Sequence, residues 1–418
     1  MKMRKGDARM RLKDVTECCP AYTGPDRNGT VAFVPMESLR YDSIDPKEIE
    51  YSEAKGKYTF FADGDLLFAK VTPCFENGNI AVAKGLKGGI GFGSSEIFVL
   101  RPNDKLLNQY LFYVAQGSPF RDGACATMCG VGGLKRIDPL FTRTFEFDLP
   151  PLPEQRAIVA YLDEKAAAID RKVALLEKKL AAFKRLKTSI INRAVTRGLD
   201  PNVKLKDSGV DWIGQVPEGW GVSRVGSHYS IQLGKMLSST RTSHDETLEK
   251  YYCAANVHYE GISGDVKEMW FSQGDKSAYK IHVGDMLVVE GGAGAGGCAI
   301  VECLDCDTYI QNSILRLRGD NLSNNKYLCY WFQNLGQRGY IEYACNVATI
   351  PHFTKEKMRQ VPMPVPSLEE QREISAYLDA ECAKIDKAAA VAEKQIDAYR
   401  RLKRSLINEV VTGKRKVA

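Results

Sequence analysis

The chain has 418 residues, 44% of them hydrophobic and 26% charged, with a formal net charge of +6. That balance suits a folded chain of two or three domains and excludes a disordered or collagen-like one. No apolar run approaches the ~20 residues a membrane-spanning helix needs, and twelve irregularly spaced cysteines, Cys18-Cys19 adjacent among them, fit reduced thiols in a cytoplasm better than a disulfide framework.

In chain order, MKMRKGDARMRLKD carries charge with no apolar core behind it, unlike a signal peptide. Residues 1–150 read as a first globule. Strand-like runs fall at 31–34, 58–61, 65–71, 79–84 and 96–101, separated by turns such as Gly78-Asn79 and Lys87-Gly88-Gly89. Residues 106–116 read as a short helix. Leu149-Pro150-Pro151-Leu152-Pro153 is a stiff, extended hinge. Pro153 suits the first turn of a long helix over 151–198.

Gly198 ends that helix, and a linker with the turn-rich stretch Asp207 to Trp220 leads into a second globule; together they span 199–365. The second globule repeats the first weakly. DGDLLFAK from Asp63 resembles VGDMLVVE from Val283, residues 327–334 match the 106–116 helix, and 353–362 correspond in place to 141–148. A second hinge, Val361 to Pro366, precedes Ser367, which is placed to cap a second long helix (366–413) with Glu370 in capping-box position. A basic tail, 414–418, follows.

The long helices repeat strongly. EQRAIVAYLDEKAAAIDRKVALLEKKLAAFKRLKTSIINRAVT, from Glu154, aligns without a gap with EQREISAYLDAECAKIDKAAAVAEKQIDAYRRLKRSLINEVVT, from Glu370, at an offset of 216. Apolar residues recur every seven positions. Leu162, Ile169, Leu176, Phe183 and Ile190 form one row, and Ala166, Val173, Leu180 and Ala194 form the other, interrupted by Lys187. The second copy has Leu378, Ile385, Ala392, Tyr399 and Leu406 beside Cys382, Ala389, Ile396 and Val410, interrupted by Lys403. These are coiled-coil rows, in which a core lysine lowers stability and can set register. The economical arrangement pairs the two copies. Packing of each on its own globule or on another chain stays open.

The charge is local. Residues 154–197 hold 11 Lys/Arg against 5 Asp/Glu, residues 369–416 hold 11 against 9, and the remainder holds 36 against 38. Bulk charge therefore does not mark the globules as nucleic-acid binders, and any such surface must be a patch.

Catalytic patterns are missing. There is no Asn/Asp-Pro-Pro-Tyr/Phe tetrapeptide for adenine amino-methylation. EGGAGAGG, from Glu290, lacks the Lys-Ser/Thr of a phosphate loop and runs into a strand-like 298–301, so it reads as a hairpin tip close to a DNA backbone. Cys303 and Cys306 have metal-ligand spacing, but a zinc site needs a second pair. The five histidines scatter through the second globule.

The whole pattern resembles the specificity subunit of type I restriction-modification systems. The resemblance rests on LPPLPEQR from Leu149, PVPSLEEQR from Pro364, Arg185-Leu186-Lys187 with Arg401-Leu402-Lys403, and SGVDWIG from Ser208. It departs at the front, where the usual Ser-Gly-Val-Trp lead-in is absent. It implies an α+β chain of two target recognition domains, each followed by a long helix, with the helices paired as an antiparallel coiled coil. Because both globules precede their helices, antiparallel pairing relates them by a pseudo-twofold, which suits the dyads of duplex DNA. Each globule would read half of a split site.

The partners implied are double-stranded DNA and two methyltransferase subunits, with or without two ATP-dependent nuclease subunits, and no membrane. The chain itself would be non-catalytic and hold no cofactor or metal. S-adenosylmethionine, ATP and Mg belong on the partner subunits. DNA contacts are expected from cations beside turns: Lys70, Lys84, Lys87, Lys135 and Arg136 in the first globule, and Lys235, Arg241 and Lys250 in the second, with Asn346 and Thr349 as polar candidates. Gly130 to Arg136 is the strongest single loop. Identity between the helices beyond their core rows points to a partner-binding outer face: Glu154, Gln155, Arg156 and Arg185 with Glu370, Gln371, Arg372 and Arg401, alongside Asp163, Asp170 and Asn192 and their copies. The competing reading is a two-headed coiled-coil adaptor that binds proteins and no nucleic acid.

Overall fold

The computed structural model describes residues 8–26, 28–131, 133–345 and 351–417. Asn346 and Thr349 lie outside them. The chain forms two units: one runs to Glu177 and takes in the chain from Glu393, and the other is Lys178–Ala392.

In the first unit an antiparallel sheet has the order Thr16–Cys18, Ile97–Pro102, Leu66–Ala69, Ile80–Val82. A second sheet has the order Lys47–Glu50, Thr30–Val34, Ile90–Gly93, Thr59–Ala62, its middle pair parallel. Ala8–Arg11 pairs with Glu146–Leu149. In the second unit the antiparallel sheet runs Tyr229–Leu233, Ile314–Gly319, Met286–Val289, Cys298–Ile300. Its companion is Lys267–Phe271, Thr247–Tyr252, Thr308–Ile310, the last pair parallel. Gly221–Arg224 pairs with Pro362–Val365. The two globules thus share strand order and direction, with one strand more in the first.

The Gly-Asp motif is where the weak repeat becomes physical. Asp65 and Asp285 are almost fully buried, and each takes a forked pair of bonds from an arginine on the neighbouring strand. Arg101 Nε and Nη2 lie 2.8 and 2.7 Å from Asp65, and Arg318 Nε and Nη2 lie 2.6 and 2.8 Å from Asp285. Each carboxylate also accepts the backbone N–H three residues before it, from Ala62 and His282. A buried carboxylate is tolerated only with such compensation. The preceding Gly64 and Gly284 both have φ of 92°, a turn that disfavours a side chain. Their carbonyls accept the amides of Asn108 and Asn325, at the starts of the helices Asn108–Gln116 and Asn325–Gln337.

The strand Ile90–Gly93 escapes sequence reading because IGFG shows no alternation. A Cβ on Gly91 would come within 2.6 Å of the Phe61 ring, so packing there requires glycine.

The long helices are Leu152–Arg197 and Leu368–Val411. Every residue of the expected apolar rows is buried or half-buried. Ile158, Leu162 and Ile169 share the first unit's core with Leu406, Ile407 and Val410. Ile191, Ala194 and Val195 share the second unit's core with Ile374, Leu378 and Cys382. Each fully buried aliphatic side chain contributes about 1.5–3 kcal/mol. The interrupting lysines are half-buried and partnered. Lys403 Nζ donates to Asp170 at 2.7 and 2.8 Å in the first unit, where Arg400 also reaches Glu177 at 2.9 Å. Lys187 Nζ donates to Asp386 at the same distances in the second, where Gly198 packs against Glu370. Rising numbers on one helix meet falling numbers on the other, so the helices pair antiparallel within each unit.

Candidate functional site

In the first globule three of the expected DNA-contacting cations come together. Ile137 N–H donates to the Lys70 carbonyl at 2.9 Å, and Thr72 N–H to the Lys135 carbonyl at 2.9 Å, fastening the segment ending in Lys135-Arg136 along the Lys70 strand. Arg136 makes a forked pair with Glu96, Nε and Nη2 each 3.0 Å from an oxygen, and this holds the Glu96 carboxyl below the usual range. Lys70 Nζ sits 5.6 Å from the centre of the Phe98 ring. Lys135 is exposed, and Val131 and Leu134 beside it expose large apolar surfaces. Lys84 is exposed, and Lys87 bonds Glu48 at 3.1 Å and Thr30 at 2.7 Å, both apart from that cluster.

In the second globule Lys235 and Arg241 flank Trp270. Lys235 is mostly buried: Nζ donates to the Trp270 carbonyl and to Asp275, each at 2.7 Å, and Glu246 is 3.8 Å away. Burial works against the Asp275 charge, but Lys235 and Ser272 outweigh it and hold the carboxyl low. Arg241 lies over the Trp270 ring at 5.5 Å, and Lys250 is exposed on the adjoining strand opposite Glu268. The glycine-rich 290–297 segment joins Met286–Val289 to Cys298–Ile300 as a hairpin, as its sequence suggests. His352 packs on Gly291 and bonds Glu290 at 3.2 Å.

The helix residues expected on an outer face divide. Arg156, Arg185, Arg372 and Arg401 are exposed. Gln155 and Gln371 correct the expectation, because both are completely buried. Gln155 accepts from Leu107 N–H at 2.8 Å and donates to the carbonyls of Lys105 and Pro150, each at 2.8 Å. Gln371 accepts from Asn324 N–H at 2.9 Å and donates to the carbonyls of Leu322 and Pro366 at 3.2 and 3.0 Å. Each amide ties hinge, helix and globule together, and needs no partner to explain its identity. Asp163 and Asp379 likewise accept from Tyr113 and Tyr330 at 2.5 and 2.8 Å. Ser367 caps the second helix as expected, its hydroxyl accepting from Glu370 N–H at 3.2 Å. Glu370 itself is half-buried and turned to Trp220 Nε1 at 2.9 Å, and burial pushes its carboxyl up despite that bond; Glu154 is half-buried.

Among the described residues no group of three His, Cys, Asp or Glu side chains is placed to hold a metal, and no helix is long and apolar enough to cross a membrane. Sequence reading passed over Lys184, Arg197 and Arg338, which wall a cavity in the second unit. Lys184 and Arg197 carry no pattern of their own, and Arg338 reaches the cavity only through tertiary packing.

A duplicated α+β globule, each copy clasped to a long helix that pairs antiparallel with the other, defines a class of two-headed, helix-paired proteins. Residues 217–391 match the family model of the type I restriction modification DNA specificity domain. The chain is 38% identical over 152 residues to the EcoEI specificity subunit of Escherichia coli, covering 35% of this chain and 26% of that one. It is 34% identical over 164 residues to the EcoAI subunit of Escherichia coli, covering 38% and 28%. These two matches therefore span little more than a quarter of those relatives. A putative MjaX specificity subunit of Methanocaldococcus jannaschii is 22% identical over 97% of this chain and 93% of its own. Two solved structures share the fold. One comes from work on complex assembly and conformational transition of the type I R-M system (TM-score 0.75, 19% identity, 99% and 100% coverage). The other is the HsdS subunit from Thermoanaerobacter tengcongensis (TM-score 0.54, 20% identity, 99% of each chain). Residues 217–391 thus carry the likeness to the type I restriction modification DNA specificity domain, and the chain as a whole shares the fold of these solved structures.

Proposed function

We propose that this chain is the non-catalytic subunit that recognises a split DNA site and scaffolds a type I restriction-modification complex in the cytoplasm. The observation that carries the reading is the duplication: one buried framework appears twice, with the same strand order and Asp-Arg forks, while the candidate contact surfaces differ. The cluster Lys70, Lys135 and Arg136 belongs to one half-site, and Lys235, Arg241 and Lys250 around Trp270 to the other, with Lys84 and Lys87 as further phosphate contacts. Residues 1–150 and the globular part of 199–365 act as the two target recognition domains, and the helices act as spacer and dock.

Two methyltransferase subunits engage the helices through Arg156, Arg185, Arg372 and Arg401. S-adenosylmethionine is used on those subunits, and ATP and Mg on nuclease subunits where these join. The test is duplex binding by the assembled complex across a salt series. The logarithm of the binding constant should fall linearly with log salt, because phosphate contacts release counterions. Binding that is absent or independent of salt would favour the protein-only adaptor.

A further inference from the structure

The repeat predicts that the two helix ends meet their globules alike, and in one place they do not. At the offset of 216, Asn192 answers to Asn408. In the first unit Asn408 Oδ1 accepts the backbone N–H of Ser118 at 3.1 Å, and Gly117 packs so tightly that a Cβ would lie 2.9 Å from Val411. That helix face is closed by the chain itself. In the second unit the helix Asn325–Gln337 runs past the equivalent point. Counting from the matched tyrosines Tyr113 and Tyr330, Gly117 corresponds to Asn334. Here Asn192 faces a cavity of about 630 Å³.

Four cations wall this cavity: Lys184, Arg185, Arg197 and Arg338. Among the described residues no carboxylate lines it, and no ion pair is formed by Lys184, Arg185 or Arg197. Among the described residues the Arg338 guanidinium bonds the Trp212 carbonyl, at 2.6 Å, and no carboxylate. The helix dipole explains a cation at Arg197 but not at Lys184 and Arg185, three turns further back. Asn334, a lining residue, is fully buried, and neither its amide oxygen nor its nitrogen has a hydrogen-bond partner among the described residues. Buried amides are rarely left so.

We propose that this cavity is a phosphate-binding site, sized for a small polyphosphate, whose equivalent point in the first unit is filled by Gly117 and Ser118. Cations outside any ion pair, set along one wall with hydroxyl and amide donors, are the chemistry that phosphate oxygens require. The proposal does not depend on how DNA is read.

The probe is pyrophosphate, titrated calorimetrically into the full chain at low salt. Saturable binding at one site is expected. It should weaken about tenfold or more in Lys184→Gln/Arg197→Gln, as loss of charge-assisted bonds implies, and stay unchanged in Arg401→Gln on the closed copy. Thermal unfolding of each variant separates lost binding from lost folding. If pyrophosphate still binds in saturating duplex, the phosphate comes from a free ligand; displacement by duplex assigns it to the DNA backbone. Binding that is absent, or equal in all variants, overturns the proposal, as does a polyglutamate peptide that binds more tightly than pyrophosphate through the same residues.

Discussion

Gln155 and Gln371 show how one side chain can hold a boundary. Each satisfies one N–H and two carbonyls at the junction of hinge, helix and globule. Gln155→Ala and Gln371→Ala should each cost about 1–3 kcal/mol, because buried backbone groups are left unpaired. Denaturant unfolding measures this, and a loss near zero would mean that water replaces the amide. Cys19 offers a chemical test. It is exposed, has φ of 50°, and lies with its sulfur 3.9 Å from that of Cys18. The hydrogen bond from Cys18 brings its thiol down to about 6, with Val99 N–H and Lys70 adding to the effect against burial. The thiolate is the reactive form. Alkylation of Cys19 should therefore rise through about pH 6, and Cys18→Ala should move the profile to higher pH. Identical profiles in the two proteins would refute the role of Cys18.

At the scale of the helices, the register device is a pair of matching ion pairs, Asp170–Lys403 and Lys187–Asp386, built from the same two positions of the repeat. Each puts a lysine in an apolar row and its carboxylate on the facing helix, so a one-heptad slip strands both. Lys403 is the more deeply set, with its side chain 13% exposed and its ammonium 4.5 Å from the centre of the Tyr41 ring. Asp170→Lys should destabilise by about 1 kcal/mol, since the aspartate is half exposed and its attraction screened. The double exchange Asp170→Lys/Lys403→Asp should recover part of that. A double-mutant cycle with no coupling would remove the ion pair from the account.

At the scale of the molecule, base specificity should travel with the globule and spacing with the helices. Replacing residues 1–148 by the equivalent segment of a relative should change one half of the recognised sequence and leave the other half alone. A heptad inserted in both helices, after Glu177 and before Glu393, keeps the apolar seam and lengthens each by about 10 Å at ~1.5 Å per residue. The expected result is a longer spacer or lost binding, with half-site bases unaltered. Mapping methylated adenines reads both outcomes, and altered bases with an intact spacer would contradict this division of labour.

The sequence alone determined the helices, their heptad rows, their hinges and the two-globule order, because each is written locally: a period, a run of prolines, a cap. It also held the Gly-Asp repeat, though not its reason. Only tertiary structure decided the rest. The common sheet topology joins strands far apart in the chain, and the weak strand Ile90–Gly93 is formed by the space around Phe61. The deep placement of Gln155, the ion pairs of Lys187 and Lys403, and the burial of Lys235 likewise depend on partners tens to hundreds of residues away. A sequence period shows which face of a helix is apolar. It does not show which polar side chain on the remaining faces will find a buried partner, because that partner is supplied by another part of the fold.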